Sequence, residues 1–264
     1  MAKIGIDAGG SMIKLAFEQN GRIHFRKYPN AQTDTALKWS KLFEWNDIAL
    51  TGSKAAYLKQ AFFPDASILP EFDAVCTGAR WLKDRDYPHV NDEFLLVNIG
   101  TGTSWFKVSK KGHSRVLGSG IGGGTIMGLA ELLTGVQDFA KITELASKGS
   151  KNKIDVLVKD LYEEDIGING SLTASNFGYG NTWDGSKEDK LSSLFQMTAE
   201  TIVLLSQQAG TIHQIDQIIY AGGAVSVNMP LQKSISSFDY LFPKSQLFLQ
   251  DGQFCGACGA LLSV

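Results

Sequence analysis

The sequence predicts an α/β protein whose sheets mix antiparallel hairpins with parallel strands and fall into two related halves. Three observations carry this. Strand-like runs alternate with helical ones along the chain, the pattern of an α/β fold. Each half opens on a strand that ends in a polar residue and a glycine turn, then continues into a hairpin. Setting "IDAGGSMIKLAF" above "VNIGTGTSWFKV" places Asp7 on Asn98 and Gly9 on Gly100, so one supersecondary unit recurs roughly 90 residues later.

Taken in order, strands are expected near 3–7, 12–18 and 22–28. Asn20-Gly21 joins the last two and suits the positive φ angles of a type I′ hairpin. Residues 33–43 and 53–62 read as helices on either side of a short strand, Ile48-Ala49-Leu50. Pro70 then opens a helix over 71–84. Phe94 to Asn98 is a strand, followed by a hairpin turning at Lys111-Gly112. Ile126, Leu129, Ala130 and Leu133 share one helical face, and Ile154, Leu157, Val158 and Leu161 repeat that spacing. A long helix is expected over 188–209, stopped by Gly210. The remaining elements are a strand at 217–220, a helix at 228–239, a strand at 246–249 and a small-residue helix at 254–262. The stretch 165–187, rich in Gly, Asn and Ser, is the loosest.

The composition sets limits. With 264 residues, 44% apolar and 20% charged, the chain can bury a sizeable core. A net charge of −2 argues against a nucleic-acid footprint or a polybasic membrane patch. No apolar run reaches the roughly 18 residues of a membrane span, and the first strand leaves no room for a secretory signal. Cys76, Cys255 and Cys258 do not make a disulfide framework, so a cytoplasmic location is expected.

The 28 glycines cluster in "DAGGS" (7–11), "GTGTS" (100–104) and "GSGIGGGT" (118–125). Converging backbone N–H groups hold phosphate well, and glycine lets the chain turn tightly around it. The third cluster runs into an amphipathic helix, whose dipole and first N–H groups favour an anion. Neither a Walker A spacing nor a dinucleotide fingerprint is present. Asp7, at a strand tip beside such a loop, suits a hydrated Mg²⁺ or simply caps a turn. Ser11 can donate to a phosphate oxygen. Lys14 either supplies a point charge or is solvated on its strand.

"GIDAGG" with a second half opening "NIGTG" resembles the actin–hexokinase–chaperone superfamily of two-lobed ATP-using proteins. More closely, "EFDA" (71–74), "VNIGTGTS" (97–104), "RVLGSGIGGGT" (115–125), "ASKG" (146–149), "ASNFG" (174–178) and "GACGALL" (256–262), in that order, resemble type II pantothenate kinase across essentially the whole chain. The resemblance implies an actin-like, ribonuclease H-like fold with a cleft between lobes: 1–93, completed by the terminal helix 254–264, and 94–253, which carries the nucleotide and dimer surfaces. It implies ATP and Mg²⁺ as cofactors, pantothenate as acceptor, and a homodimer joined through helices of the second half.

The resemblance also assigns residues. Glu71 falls on the family's catalytic base, although a Glu in a first helical turn is by itself an ordinary dipole partner. Arg115 falls on the arginine that binds substrate and steadies the transferring phosphoryl group. ATP and phosphate contacts fall on Asp7, Ala8, Gly9, Gly10, Ser11, Lys14, Thr101, Gly123, Gly124, Thr125, Ile126, Met127, Phe139 and Gly223. Pantothenate contacts fall on Glu71, Thr101, Ser104, Arg115 and Tyr240, and Asp7 holds the metal through water. Phe139 stands where a relative has Tyr, and Gly223 where a relative has Ser. Tyr240 sits in a poorly matching stretch, expected to reach the neighbouring subunit's pocket.

Two other readings use the same scaffold. A sugar or amino-sugar kinase would phosphorylate a hexose in preference to pantothenate. A non-enzymatic ATP-gated binding module would hydrolyse ATP slowly without an acceptor. The Cys255-Gly-Ala-Cys258 motif reads as close packing of a small-residue helix, with redox and metal roles as alternatives. His24, His89, His113 and His213 are scattered, and Ser104 and Ser119 lack His–Asp partners that would point to acyl transfer.

Overall fold

The computed structural model describes residues 2–33, 45–162, 164, 167–179 and 185–264. The helix expected over 33–43 falls almost wholly outside them.

Two five-stranded mixed sheets are built on one plan. In the first, β1 (Lys3–Ala8), β2 (Met12–Gln19) and β3 (Arg22–Pro29) form an antiparallel meander, and β4 (Asp47–Thr51) and β5 (Ser67–Ile68) extend it in parallel, in the order β3-β2-β1-β4-β5. In the second, β6 (Phe94–Ile99), β7 (Thr103–Ser109) and β8 (Gly112–Ser119) form the meander. Here β11 (Ile218–Ala221) and β12 (Leu247–Phe248) add the parallel strands, in the order β8-β7-β6-β11-β12. The recurrence read in the sequence is thus a duplication of an entire sheet. Asn20 and Gly21, at φ 53° and 70°, make the expected type I′ turn.

The helices correspond as well. In the first half α1 (Ala55–Phe62) follows β4, and α2 (Glu71–Asp86) follows β5. The second half inserts α3 (Gly123–Thr134), α4 (Phe139–Ala146), the single turn α5 (Val158–Leu161) and α6 (Lys187–His213) after β8. It then places α7 (Met229–Ser236) after β11 and α8 (Cys255–Leu262) after β12. A small two-stranded sheet pairs β9 (Val156–Leu157) with β10 (Thr173–Ser175).

The last helix of each half packs on the other half's sheet. In α2, Val75, Ala79 and Leu82 join Phe94, Leu96 and Phe106 in one apolar core. In α8, Ala257 and Leu261 pack on Ala16 of the first sheet. Small residues allow α8 to approach: a Cβ on Gly5 would collide with the Ala257 carbonyl, and one on Gly78 with the Cys255 carbonyl. The third and largest core gathers Leu95, Val97 and Trp105 against α3, α4, α6 and α7. The Trp105 indole N–H donates to Ser206 Oγ of α6 at 2.8 Å.

Several sequence expectations are corrected. Ile154–Leu161 is not a helix: the Asp155 carboxylate, fully buried, accepts from Ser193 Oγ, the Phe177 N–H and Thr173 Oγ1. That demand pulls the chain into β9 and leaves one helical turn after it. Gly210 does not end α6. The helix continues to His213 and is capped by Gln214 at φ 55°, and Gly210 instead lets the returning chain close Ile215 N–H onto its carbonyl at 2.8 Å. The strand expected at 246–249 shortens to Leu247–Phe248, and the helix expected at 228–239 ends at Ser236.

Candidate active site

The chain crowds its polar chemistry where β1, the start of α2 and the β7–β8 hairpin meet. Asp7 lies one residue from the end of β1, opposite Lys14 on β2, with Lys14 Nζ 3.7 Å from Asp7 Oδ2. Gly52, at φ +88°, lets the β4 end pass so close that a Cβ there would stand 2.7 Å from Asp7 Oδ1. A Cβ on Gly256, in the first turn of α8, would stand 2.7 Å from Oδ2. Burial pushes the Asp7 carboxyl above its ordinary range, and Lys14 pulls the other way.

Pro70 precedes α2 and Glu71 is its first residue. Burial pushes Glu71 up as well. The neighbouring Asp7 charge adds to this shift and Lys14 opposes it, so the three groups form one electrostatic unit. The next two residues bind this helix start to the second sheet. The Phe72 ring lies 5.2 Å from that of Phe106 on β7, and Asp73 Oδ1 lies 2.9 Å from His113 Nε2 on β8. Arg115, also on β8, carries its guanidinium over the Phe72 ring at 5.6 Å, with Nε and Nη2 each 3.4 Å from Ser104 Oγ. Glu71, Asp7, Lys14, Arg115 and Ser104, read separately in the sequence, therefore belong to one region.

The glycine loops behave differently from one another. In "DAGGS", Gly9 N–H closes on the Met12 carbonyl, and the Asn30 amide donates to the carbonyls of Gly9, at 3.2 Å, and Gly10. Asn30 N–H also reaches the Ser11 carbonyl, at 3.0 Å. Ala8 is buried beneath this turn. In the third loop, the Gly123 and Gly124 N–H groups donate to the Gly100 and Thr101 carbonyls, both at 2.8 Å. These bonds lace the α3 start to the β6–β7 turn. Thr125 Oγ1 likewise donates to the Gly120 carbonyl, at 2.8 Å. Ile126 is a core side chain whose N–H closes the first turn on Gly122. The faces left open are those of Gly10, Gly120 and Gly223, where a Cβ would meet no atom within 4 Å. Gly223 is brought to this loop by Ala224, whose Cβ would stand 3.1 Å from one on Gly123.

Three further expected contacts have the following surroundings. Met127 and Phe139 are half-buried against the largest core. Tyr240, exposed, lines a cavity of about 860 Å³ with Lys151, Thr173, Gln196 and Lys233, away from the residues around Glu71. The sequence reading missed Asn30, Phe72 and Gly118. Asn30 carries no motif, Phe72 is an ordinary aromatic within "EFDA", and Gly118 stands in a glycine cluster but pairs with Ser104 in the sheet. Cys255 and Cys258 are buried free thiols. Burial pushes Cys258 up to about 12 and raises Cys255 well above the ordinary thiol range, which fits packing and not redox chemistry.

Among the described residues no three His, Cys, Asp or Glu side chains cluster as a metal cage. A single carboxylate walled by glycines suits an ion that keeps most of its waters and takes further oxygens from phosphates, as Mg²⁺ does.

A family model described as Fumble matches residues 78–263. The type II pantothenate kinase of Oceanobacillus iheyensis is 36% identical over 266 residues, covering 100% of both chains. That of Bacillus anthracis is 37% identical, covering 98% of this chain and 96% of its own. Among solved structures, component A of the Acidaminococcus fermentans (R)-2-hydroxyglutaryl-CoA dehydratase superposes with a TM-score of 0.71 at 14% identity, covering 100% of this chain and 97% of its own. A ROK family glucokinase from Streptomyces griseus gives a TM-score of 0.58 at 14% identity, covering 100% and 99%. These structural likenesses bear on the fold alone, which is the two-lobed actin-like one expected from the sequence.

Proposed function

The chain belongs to the type II pantothenate kinase family, and on that premise we propose that it transfers the γ-phosphoryl group of ATP to the primary hydroxyl of pantothenate, giving ADP and 4′-phosphopantothenate, the first step of coenzyme A biosynthesis. The observation that carries the residue roles is the start of α2: it holds Glu71 beside Asp7 and, through Phe72, brings Arg115 alongside. Glu71 takes the proton of the attacking hydroxyl. Its raised pKa brings it nearer to neutrality, where a base both is ionised and accepts a proton readily. Arg115 faces the equatorial oxygens of the transferring group with the N–H edge that Ser104 does not occupy. Lys14 and the open faces of Gly10, Gly120 and Gly223 accommodate the phosphates, and Thr101 and Ser104 orient the two substrates. Asp7 would hold Mg²⁺ through water, and the bound ion would neutralise charge on the phosphates. Positioning and electrostatics supply most of the acceleration in such transfers.

The division into lobes, 1–93 with 254–264 and 94–253, belongs to this proposal. The packing of α8 on Gly5 and Ala16 supports returning the terminal helix to the first lobe. A cytoplasmic location and a homodimer joined through the second half, with Tyr240 reaching the partner's pocket, also belong to this proposal; light scattering tests the dimer. No helix among the described residues is long and apolar enough to cross a membrane.

The decisive measurement is ADP release by the purified protein with Mg-ATP, with and without pantothenate, for the natural chain and Glu71→Gln. We expect release to require pantothenate and to fall by roughly 100- to 10,000-fold in the variant, the usual contribution of a general base. Release indifferent to pantothenate, or preferring a hexose, would overturn the substrate. An unchanged kcat in the variant would remove Glu71 from the chemistry.

A further inference from the structure

Arg115 is the one cation that β8 offers to the region around Glu71, and its placement depends on an irregularity in the strand. From Ser119 to Leu117, β8 pairs with Thr103 to Trp105; from Arg115 onward it pairs with Phe106 to Ser109, one residue out of step. Val116 is the extra residue of a β-bulge. Side chains alternate across a regular strand, so Arg115 and Gly118, three apart, would face opposite sides of the sheet. The bulge reverses the alternation. Arg115 now shares a face with Gly118, His113, Ser104 and Phe106, the face on which α2 packs.

On that face the guanidinium, although solvent-exposed, lies against three neighbours. Its Nη2 lies where a Cβ of residue 118 would be, so a side chain there would displace the guanidinium from this position. Ser104 Oγ stands 3.4 Å from both Nε and Nη2, and the Phe72 ring lies 5.6 Å from Cζ, itself backed by Phe106. Held this way, the side chain keeps its outer N–H groups turned away from Ser104 and free for an oxyanion. These contacts favour one orientation of the side chain before substrate arrives, which lowers the entropic cost of positioning it.

We propose that the Val116 bulge, Gly118 and Phe72 form a slot that fixes the plane of the Arg115 guanidinium, making Gly118 and Phe72 positioning residues for phosphoryl transfer. This rests on the role given to Arg115 above. It applies to two residues whose own chemistry is inert: a glycine without a side chain and an exposed aromatic ring beside the base.

The test is a double-mutant cycle on the full chain, read as pantothenate-dependent ADP release. It is combined with the ¹H–¹⁵N signal of Arg115 Nε, assigned by its loss in Arg115→Lys. Gly118→Ala should lower kcat at least tenfold with KM for ATP changed less than threefold, and should shift or broaden the Nε signal. Combined with Arg115→Ala it should add no further loss, because its effect passes through the arginine. Phe72→Leu should lower kcat less, and Phe72→Tyr should restore it. Natural kcat in Gly118→Ala, or losses that multiply in the double variant, would overturn the slot. If the natural chain shows no pantothenate-dependent release, the functional reading fails. The slot is then judged on the Nε signal alone: a shift in Gly118→Ala and Phe72→Leu supports it, and an unmoved signal overturns it.

Discussion

At the tip of the first sheet, Gly52 at φ +88° lies against the Ala8 carbonyl and Asp7 Oδ1, and Lys54 N–H donates to that carbonyl at 2.9 Å. At the tip of the second, Gly222 at φ +102° lies in the same way against the Ile99 carbonyl and Asn98 Oδ1, and Ala224 N–H donates to Ile99 at 3.1 Å. The backbone arrangement is the same in both, and the side chains differ. Asp7 has Lys14 as its cross-strand partner, whereas Asn98 has Ser104. One tip therefore holds a carboxylate and an ammonium. The other is neutral and leaves its hydroxyl to seat an arginine from the next strand. One backbone plan thus carries a charged pair at one tip and a neutral hydroxyl at the other, at little cost to the fold because both keep the positive-φ glycine and the closing amide.

The sharpest way to break this comparison is to make the first tip resemble the second. Asp7→Asn should lower kcat/KM by roughly 100-fold, the scale of removing one preorganised electrostatic partner. The same variant should not lose stability. Folding raises the Asp7 pKa, so the stabilisation this group contributes is present below its unfolded pKa and is lost as pH rises through the folded one. At neutral pH the ionised carboxylate weighs against the fold, and Asn removes that burden, so Tm should hold or rise. A fall of several degrees would mean that the pair with Lys14 dominates. The variant also tests the coupling to Glu71. Activity needs Glu71 ionised and so rises with pH through its raised pKa. Removing the Asp7 charge should move that acid limb to lower pH. A limb that stays in place would separate the two carboxylates.

A smaller effect is expected where only one tip has the feature. The Asn30 side chain clamps the Gly9 and Gly10 carbonyls of the first turn, while the second turn is laced by Gly123 and Gly124. Asn30→Asp keeps the shape but sets a carboxylate against two carbonyl oxygens. The KM for ATP should rise about tenfold, the loss of one or two hydrogen bonds, with kcat changed less. An unchanged KM would show that the turn holds its shape without the clamp. The smallest effect belongs to the C-x-x-C motif. Iodoacetamide at neutral pH should leave Cys255 and Cys258 unreacted and activity intact until the chain unfolds, because both thiols are buried and held protonated. Rapid labelling of the native protein would revive a redox role.

The sequence by itself determined the strands, the hairpins and the duplication. An Asn-Gly turn, an alternating strand and a Pro70-led helix are encoded in residues next to one another, and the interactions that stabilise them are local. It also determined the identity of Asp7, Glu71 and Arg115 as a family pattern. Tertiary structure decided what depends on partners distant in the chain. Ile154–Leu161 carries a helical period but is drawn extended by a buried carboxylate that needs donors from Thr173, Phe177 and Ser193. Gly123 and Gly124 stand in a glycine cluster, and only the fold shows that Gly100 and Thr101 supply carbonyls to their N–H groups. The side of the sheet on which Arg115 stands follows from one extra residue in a pairing register, a property of two strands together that neither sequence segment contains alone.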